Sequence, residues 1–330
     1  MKYRRALVVG INDYPGEKNK LNSCVNDAHS ITSLLRRNYD DEVNFSVVEL
    51  IDSKATRDNI IESLNKVFDD ETETGVFYFS GHGYDDADDG QLVTYDCNSE
   101  YVGIKFKEVN DILRHSKCRN KIVIIDACYS GKVGNYHDIG DITYLSKGTT
   151  ILTSCNEKEA AVENGSHGLF TNLLIYALEG GASDIFGRIT PASIYSYIDS
   201  CLGEFEQRPL FKSYVATFVS LREVAPKITK KDVKAVAKLF ANYNDKYQLD
   251  PSYEPTNYVG SKEIGEKDLK EPYCIPEHTK IFGLLQKAVQ NGLIKPSNEK
   301  HMFYAAMNRD TCELTDLGVQ YWILVKKDLI

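Results

Sequence analysis

An imidazole and a thiol 46 positions apart are the residues of this sequence best suited to do chemistry. His82 stands in Phe79-Ser80-Gly81-His82-Gly83, and Cys128 in Asp126-Ala127-Cys128-Tyr129-Ser130-Gly131. A cysteine is a strong nucleophile only as the thiolate, and a neighbouring imidazole that takes or shares its proton is the usual means of making one. The glycines flanking His82 let a substrate backbone come close, and the Gly83 and Cys128 amides are candidates to face the oxyanion of a tetrahedral intermediate. Acyl transfer by such a pair needs no metal or organic cofactor. His167 is a rival base, but it would follow the nucleophile in the chain, and Gly168-Leu169-Phe170-Thr171 after it reads as a helix start. The remaining cysteines, at 24, 97, 118, 155, 201, 274 and 312, form no C-x-x-C pair and no zinc-ligand spacing. They read as reduced thiols of a cytoplasmic protein.

The elements that must position this pair alternate along the chain. Candidate strands are Ala6–Ile11, Phe45–Ile51, Val76–Ser80, Lys121–Ile125, Thr149–Ser154 and Val215–Leu221, with amphipathic helices at Asn26–Arg37, Asp58–Phe68, Phe106–His115, Leu169–Leu178 and Pro191–Leu202. The pattern predicts an α/β domain over residues 1–225: a largely parallel six-stranded sheet flanked by helices. Runs such as Ile122-Val123-Ile124-Ile125 suit strands buried on both faces. His82 and Cys128 then fall just beyond the ends of two core strands, where open α/β sheets carry their sites.

The texture changes after Leu221. Residues 226–330 hold a lysine-rich helical pattern (Val233, Val236, Ala237, Phe240), a Pro/Tyr/Asn stretch through Pro255 and Asn257 that reads as a linker, and a helix near Thr279–Asn291. Then come Gly292-Leu293-Ile294, a Tyr304-containing strand candidate and Leu314-Thr315-Asp316-Leu317-Gly318 opening a last helix. A smaller, mainly helical C-terminal domain is expected there.

With 330 residues, 42% of them apolar and 26% charged, the chain has material for two cores and is not of a disordered or fibrous class. The net charge of −9 divides into −11 for residues 1–225 and +2 for residues 226–330. The acidic part favours a cationic substrate and disfavours nucleic acid. No apolar run approaches the roughly 20 residues that span a bilayer, and no signal-peptide core follows Met1-Lys2-Tyr3-Arg4-Arg5. The expectation is a cytoplasmic protein with no membrane partner.

Ser80-Gly81-His82-Gly83 and Asp126-Ala127-Cys128-Tyr129-Ser130-Gly131 together resemble the active-site motifs of the caspase-like peptidase clan, in its metacaspase and bacterial caspase-homologue branch. The order, histidine first and cysteine about 50 residues later, is that of caspases. Gly10-Ile11-Asn12-Asp13-Tyr14 and Cys24-Val25-Asn26-Asp27-Ala28 resemble that branch's opening strand and first helix. Thr153-Ser154-Cys155, Glu159-Ala160-Ala161, His167-Gly168-Leu169-Phe170-Thr171 and Ile189-Thr190 resemble its small-subunit region. The resemblance covers residues 4 to 221 and implies a caspase-like fold and a cysteine endopeptidase, with Cys128 as nucleophile, His82 as general base and then acid, and the Gly83 and Cys128 amides as oxyanion hole.

The same resemblance places Cys24, Asp27, Ser80 and Asp126 in the pocket for the residue before the scissile bond. Two carboxylates there would hold Arg or Lys and repel Asp, so protein or peptide substrates with Arg or Lys at that position are expected. Read without the resemblance, Asp27 is an exposed charge in a first helical turn, favoured by the helix dipole. Clustered aspartates activate some metacaspases through calcium, which makes Asp85, Asp86, Asp88 and Asp89 a candidate cation site; alone, the run reads as a solvated turn. Lys132 and Lys147, between the two subunit regions, are candidates for self-cleavage. Residues 226–330 follow the order of a winged helix but lack a basic stripe, so a regulatory or sensing role is favoured over DNA binding. By family analogy, Tyr243, Tyr247, Tyr253, Tyr258 and Tyr273 could line a pocket for a nucleotide-derived messenger that releases an inactive protease, as in a suicide effector of antiphage defence. The alternative is a non-catalytic signalling or DNA-binding adaptor on the same scaffold.

Overall fold

The computed structural model describes residues 3–85, 89–98, 102–127, 145–154, 167–204 and 208–330. Two compact units divide the chain, residues 1–225 and 226–330. In the first, the elements run β1 (Tyr3–Gly10), α1 (Cys24–Arg36), β2 (Ser46–Ile51), α2 (Arg57–Val67), β3 (Thr72–Ser80), β4 (Gly83–Asp85), β5 (Gly90–Val93), β6 (Gly103–Lys105), α3 (Phe106–His115) and β7 (Asn120–Asp126). They continue with β8 (Thr149–Thr153), α4 (Leu169–Tyr176), β9 (Arg188–Ile189), α5 (Pro191–Cys201), β10 (Leu210–Ser213) and β11 (Arg222–Glu223). The main sheet has six strands in the order β10-β8-β7-β3-β1-β2. All its pairs are parallel except β10 with β8.

This sheet is buried on both faces because its strands are apolar at consecutive positions rather than alternate ones. Leu7, Val9, Phe77, Phe79, Val123 and Ile125 face α2 and α3, packing with Ile60, Leu64, Val109 and Leu113. Ala6, Val8, Val76, Tyr78, Ile122 and Ile124 face the other way, onto Ala28, Ile31, Leu35, Leu174, Ile194 and Ile198 of α1, α4 and α5. Phe77, Tyr78 and Phe79 are fully buried, each worth roughly 1.5–3 kcal/mol of transfer free energy or more. Thr56 caps α2 by accepting from the Asn59 amide, and Thr190 caps α5 ahead of Pro191 at its first position.

Two small sheets escape the sequence pattern: β4-β5-β6, and the pair β9-β11. The sixth strand of the main sheet is also not Val215–Leu221. It is Leu210–Ser213, whose ladder on β8 extends one step through Tyr214. The apolar run after it is exposed at Val215 and Phe218, and is tied down by a Thr217 bond to Asn120 and an Arg4 bond to the Ser220 carbonyl.

The second unit contains α6 (Lys230–Lys238), β12 (Lys246–Gln248), α7 (Pro276–Gln290), β13 (Ile294–Pro296), α8 (Met302–Met307), β14 (Thr311–Leu314) and α9 (Asp316–Lys326), with an antiparallel sheet in the order β12-β14-β13. Helices outweigh strands, and Thr315 caps α9 as the sequence suggests. Two expectations fail here. Tyr304 lies in α8, not in a strand. The stretch through Asn257 is no linker: Pro251, Ser252, Tyr253 and Glu254 are buried, and the Asn257 amide donates to the carbonyls of Pro251, Lys270 and Pro272 while accepting from the Lys270 amide. A cavity of about 530 Å³ in this unit is walled by Ile264, Lys267, Lys270, Phe303, Tyr304 and Met307 among others, and the five tyrosines are not part of its wall. Tyr247 instead pairs with Tyr253 through their hydroxyls at 3.0 Å, and Tyr253 stacks on His278. Among the described residues, no helix is long and apolar enough to cross a membrane.

Candidate active site

The parallel register sets one row of residues at the carboxyl edge of the sheet: Gly10 of β1 beside Ser80 of β3, and Ser80 beside Asp126 of β7. Any side chain at Gly10 would overlap the Cys24 carbonyl and the Ala28 side chain, so glycine there lets the first turn of α1 lie on the strand end. That approach brings Asp27 within 3.1 Å of the Ser80 hydroxyl, which donates to its Oδ2. From the other side comes the start of α4. A Cβ at Gly168 would stand 3.2 Å from Asp126 Oδ2 and 3.9 Å from Asp27 Oδ2, so both carboxylates face the same short stretch of backbone.

Both acids are buried, Asp27 to 1% exposure and Asp126 to 7%, which removes the reading of Asp27 as an exposed helix-end charge. Asp126 is held at the amino end of α4, accepting from the Thr171 hydroxyl at 2.7 Å and from the Thr171 backbone amide. Since the Thr171 proton goes to Asp126, the Tyr78 hydroxyl, 2.6 Å away, must donate to Thr171, giving a buried relay Tyr78 to Thr171 to Asp126. Asp27 also accepts from His167 Nδ1 at 2.7 Å. Burial pushes the Asp27 carboxyl up to about 6; the His167 bond opposes this, and the nearby Asp126 charge adds to it. Burial likewise raises Asp126, against its bonds from Thr171 and Ser154. Cys24, walled in beside them, has its thiol pushed up to about 12, chiefly by burial, and is therefore a neutral side chain and no nucleophile. No lysine or arginine among the described residues pairs with either carboxylate.

His82 lies past the end of β3 and is fixed by quite different means. Its backbone amide donates to the Tyr14 hydroxyl at 3.0 Å, that hydroxyl donates to the Val93 carbonyl at 3.2 Å, and the two rings sit 4.7 Å apart. Burial raises the Tyr14 hydroxyl well above its ordinary pKa, so it remains a proton donor. Gly81 has no side chain because one would overlap that hydroxyl. The imidazole Nε2 is 2.7 Å from the Asn19 carbonyl oxygen. A carbonyl only accepts, so Nε2 carries the proton and Nδ1 of the neutral ring is left with the lone pair. This tautomer can take a proton through Nδ1.

Cys128 lies outside the described residues, as do Lys132, Asp86 and Asp88. Its strand, β7, ends at Asp126, two residues before it and beside the end of β3 that precedes His82. Gly83 opens β4 opposite Leu92. Lys147 is exposed at the turn before β8. Of the acidic run, Asp85 closes β4, and Asp89 accepts from the Lys107 amide at 2.9 Å. Among the described residues no cluster of three metal-ligating side chains occurs. The structure brings Cys24, Asp27, Ser80 and Asp126 together. Tyr14, His167 and Thr171 lie in motifs that resemble the family, with no role read for Tyr14 or Thr171 and His167 weighed as a rival base; Asn19 and Tyr78 carry no signal in the sequence.

A family model described as the caspase domain matches residues 3–217, nearly the whole first unit. The chain belongs to the caspase domain family. This caspase-domain chain is 32% identical over 162 residues to Metacaspase-1 of Saccharomyces cerevisiae, a match covering 44% of the chain and 36% of that relative. It is 26% identical over 208 residues to Metacaspase-1 of Sclerotinia sclerotiorum, covering 56% and 45%. The figures for Metacaspase-1 of Plasmodium falciparum are 27% over 198 residues, covering 48% and 31%. The match thus spans less than half the length of each of these relatives. A solved Geobacter sulfurreducens protein, GSU0716, superposes on 68% of this chain and 98% of its own with a TM-score of 0.48 and 18% identity.

Proposed function

We propose that the chain is a cysteine endopeptidase that cleaves protein or peptide substrates after Arg or Lys. The observation that carries the specificity is the pair of buried carboxylates, Asp27 and Asp126, converging on Gly168 with no lysine or arginine among the described residues to neutralise them. A guanidinium or ammonium satisfies them by charge-assisted hydrogen bonds, and Arg adds bidentate geometry. An aspartate side chain would bring a third negative charge into the same space, which costs several kcal/mol.

In the reaction, Nδ1 of His82 takes the Cys128 thiol proton while Nε2 stays on the Asn19 carbonyl. The thiolate attacks the carbonyl carbon, and the Gly83 and Cys128 amides receive the oxyanion. Collapse breaks the C–N bond as the imidazolium returns the proton to the leaving amine. A water, deprotonated by His82, then hydrolyses the thioester and restores the thiol. The metacaspase relatives and the caspase-domain match over residues 3–217 support this reading of the chemistry.

Fluorogenic peptides identical but for Arg, Lys or Asp before the cleaved bond test it. Turnover of the Arg and Lys peptides is expected, abolished in Cys128→Ala. Turnover of the Asp peptide alone would overturn the specificity, and no turnover of any, with calcium and nucleotide effectors added in turn, would overturn the enzyme reading.

A further inference from the structure

His167 takes no part in the chemistry assigned to His82 and Cys128, yet among the described residues it makes the shorter of the two side-chain hydrogen bonds to Asp27, 2.7 Å against 3.1 Å from Ser80. Its other ring nitrogen, Nε2, lies 3.3 Å from Asn26 Nδ2. An amide nitrogen only donates, so Nε2 is the acceptor and the ring proton sits on Nδ1, directed at Asp27. With the Asn26 amide in this orientation, His167 donates to the carboxylate as a neutral imidazole. A lysine or arginine in its place would also hydrogen-bond Asp27, but would bring a positive charge that cancels it and repels a second cation.

The surroundings make that distinction matter. Asp27 faces Ser80 and Tyr78 of β3, Asp126 of β7, Cys24 on its own helix, and Gly168 at the start of α4. Ser80 and His167 are the two of these side chains that donate to it. Burial and the charge of Asp126 both favour the protonated, uncharged acid, and the His167 bond is the largest influence in the opposite direction. Without that bond Asp27 would take up a proton at still higher pH.

We propose that His167 is a positioning residue of the substrate pocket, a neutral Nδ1–H donor that keeps Asp27 ionised and oriented to receive the Arg or Lys side chain. The inference rests on the basic-residue specificity proposed above and adds a determinant supplied by the residue just ahead of α4. Removing the donor weakens binding of a cationic side chain below the pH at which Asp27 ionises unaided, and leaves the chemical step alone.

The experiment follows kcat and KM on an Arg peptide from pH 5 to 9 for wild type, His167→Ala and His167→Asn, whose side-chain amide can donate from near the Nδ1 position. His167→Ala should raise KM about tenfold at pH 7 with kcat within about threefold, and move the acid limb of kcat/KM to higher pH, so that the defect shrinks toward pH 9. His167→Asn should recover most of the KM and the limb. An unchanged KM and limb, a lower KM, or a kcat loss of about a thousandfold at constant KM would each overturn the proposal, the last because it marks a catalytic base. Should the alanine variant fail to fold, spectra of ¹⁵N-histidine in Cys128→Ala protein at pH 7.5 decide it, with the His167 signal assigned from His167→Asn. An Nδ1–H tautomer is expected; an Nε2–H tautomer or an imidazolium overturns the proposal. Wild type that turns over Asp peptides and not Arg peptides takes the specificity reading down with it, whereas wild type that turns over Arg peptides indifferent to His167 fails this inference alone.

Discussion

The two halves of the candidate site are built in opposite ways. The acid pocket is a mesh of side chains from α1, β3, β7, α4 and the residues ahead of α4, in which Asp27, Ser80, Asp126, Thr171 and Tyr78 are buried and bonded to one another, with the half-buried His167 at their edge. The His82 imidazole, the proposed base, is held by main chain and one hydroxyl: the Asn19 carbonyl on its ring, and Tyr14 on its backbone and beside its face. A pocket that must hold negative charge in a low dielectric needs many donors, each fixed by packing. An imidazole that must pass a proton back and forth needs one acceptor to fix its tautomer and an unencumbered second nitrogen. Side-chain substitutions should therefore act strongly in the pocket and unevenly around His82.

The sharpest break in the comparison comes from the reacting groups themselves. Cys128→Ala or His82→Ala should lower kcat on an Arg peptide by about 10⁴ or more, in initial-rate assays. Next, Asp27→Asn combined with Asp126→Asn should lower kcat/KM for that peptide by about 100- to 1000-fold, mostly in KM, since it leaves the substrate cation buried without a counter-charge. A fall in kcat alone would mean the pocket and the imidazole are not separable.

Stability should respond in the reverse sense. The Asp27 carboxyl is raised from an ordinary value near 3.8 to about 6, so its contribution to folding is fully present below pH 3.8 and is lost as pH climbs through 6. Asp27→Asn should then gain on wild type between pH 4 and pH 8, by roughly 3 kcal/mol in urea unfolding. A flat difference across that window would show that Asp27 is not buried as an ion. The pocket thus trades folding free energy for charge.

Smaller effects sharpen the account of His82. Tyr14→Phe removes a hydroxyl that serves both the His82 amide and the Val93 carbonyl, and should lower kcat about tenfold while leaving KM for Arg peptides nearly unchanged. Asn19→Ala should change kcat by less than about threefold, because the group that matters is a main-chain carbonyl that alanine retains. A large loss in Asn19→Ala would shift the weight to its side chain, which donates to the Pro15 carbonyl.

How far the sequence foretells this arrangement follows from the range of each interaction. Strands β1, β3 and β7 are legible because short apolar runs such as Ala6-Leu7-Val8-Val9, too brief for a helix and closed by Gly10, suit a doubly covered sheet. Val215–Leu221 carries β-forming residues yet forms no strand of the main sheet, exposed at Val215 and Phe218 and buried at Leu221, since Leu210–Ser213 already fills the edge of β8. Within the site, His82, Asp27, Ser80 and Asp126 could be placed because they belong to short motifs. Tyr14 closes a short motif that does not reveal its hydroxyl's task, and Asn19 acts through a main-chain carbonyl that no residue pattern singles out. His167 reaches Asp27 across 140 positions, and Tyr78 and Thr171 look like ordinary members of a buried strand and helix until the fold joins them.

The proposed function requires that one cysteine be acylated by substrates chosen through two buried carboxylates. A peptidyl-arginine acyloxymethyl ketone, which alkylates an activated cysteine, tests it in one step by mass mapping of the labelled protein. A single adduct on Cys128 is predicted in wild type, lost in Asp27→Asn combined with Asp126→Asn and not formed by the aspartate analogue. An adduct on Cys24 or another cysteine, or equal labelling by the arginine and aspartate reagents, would contradict it.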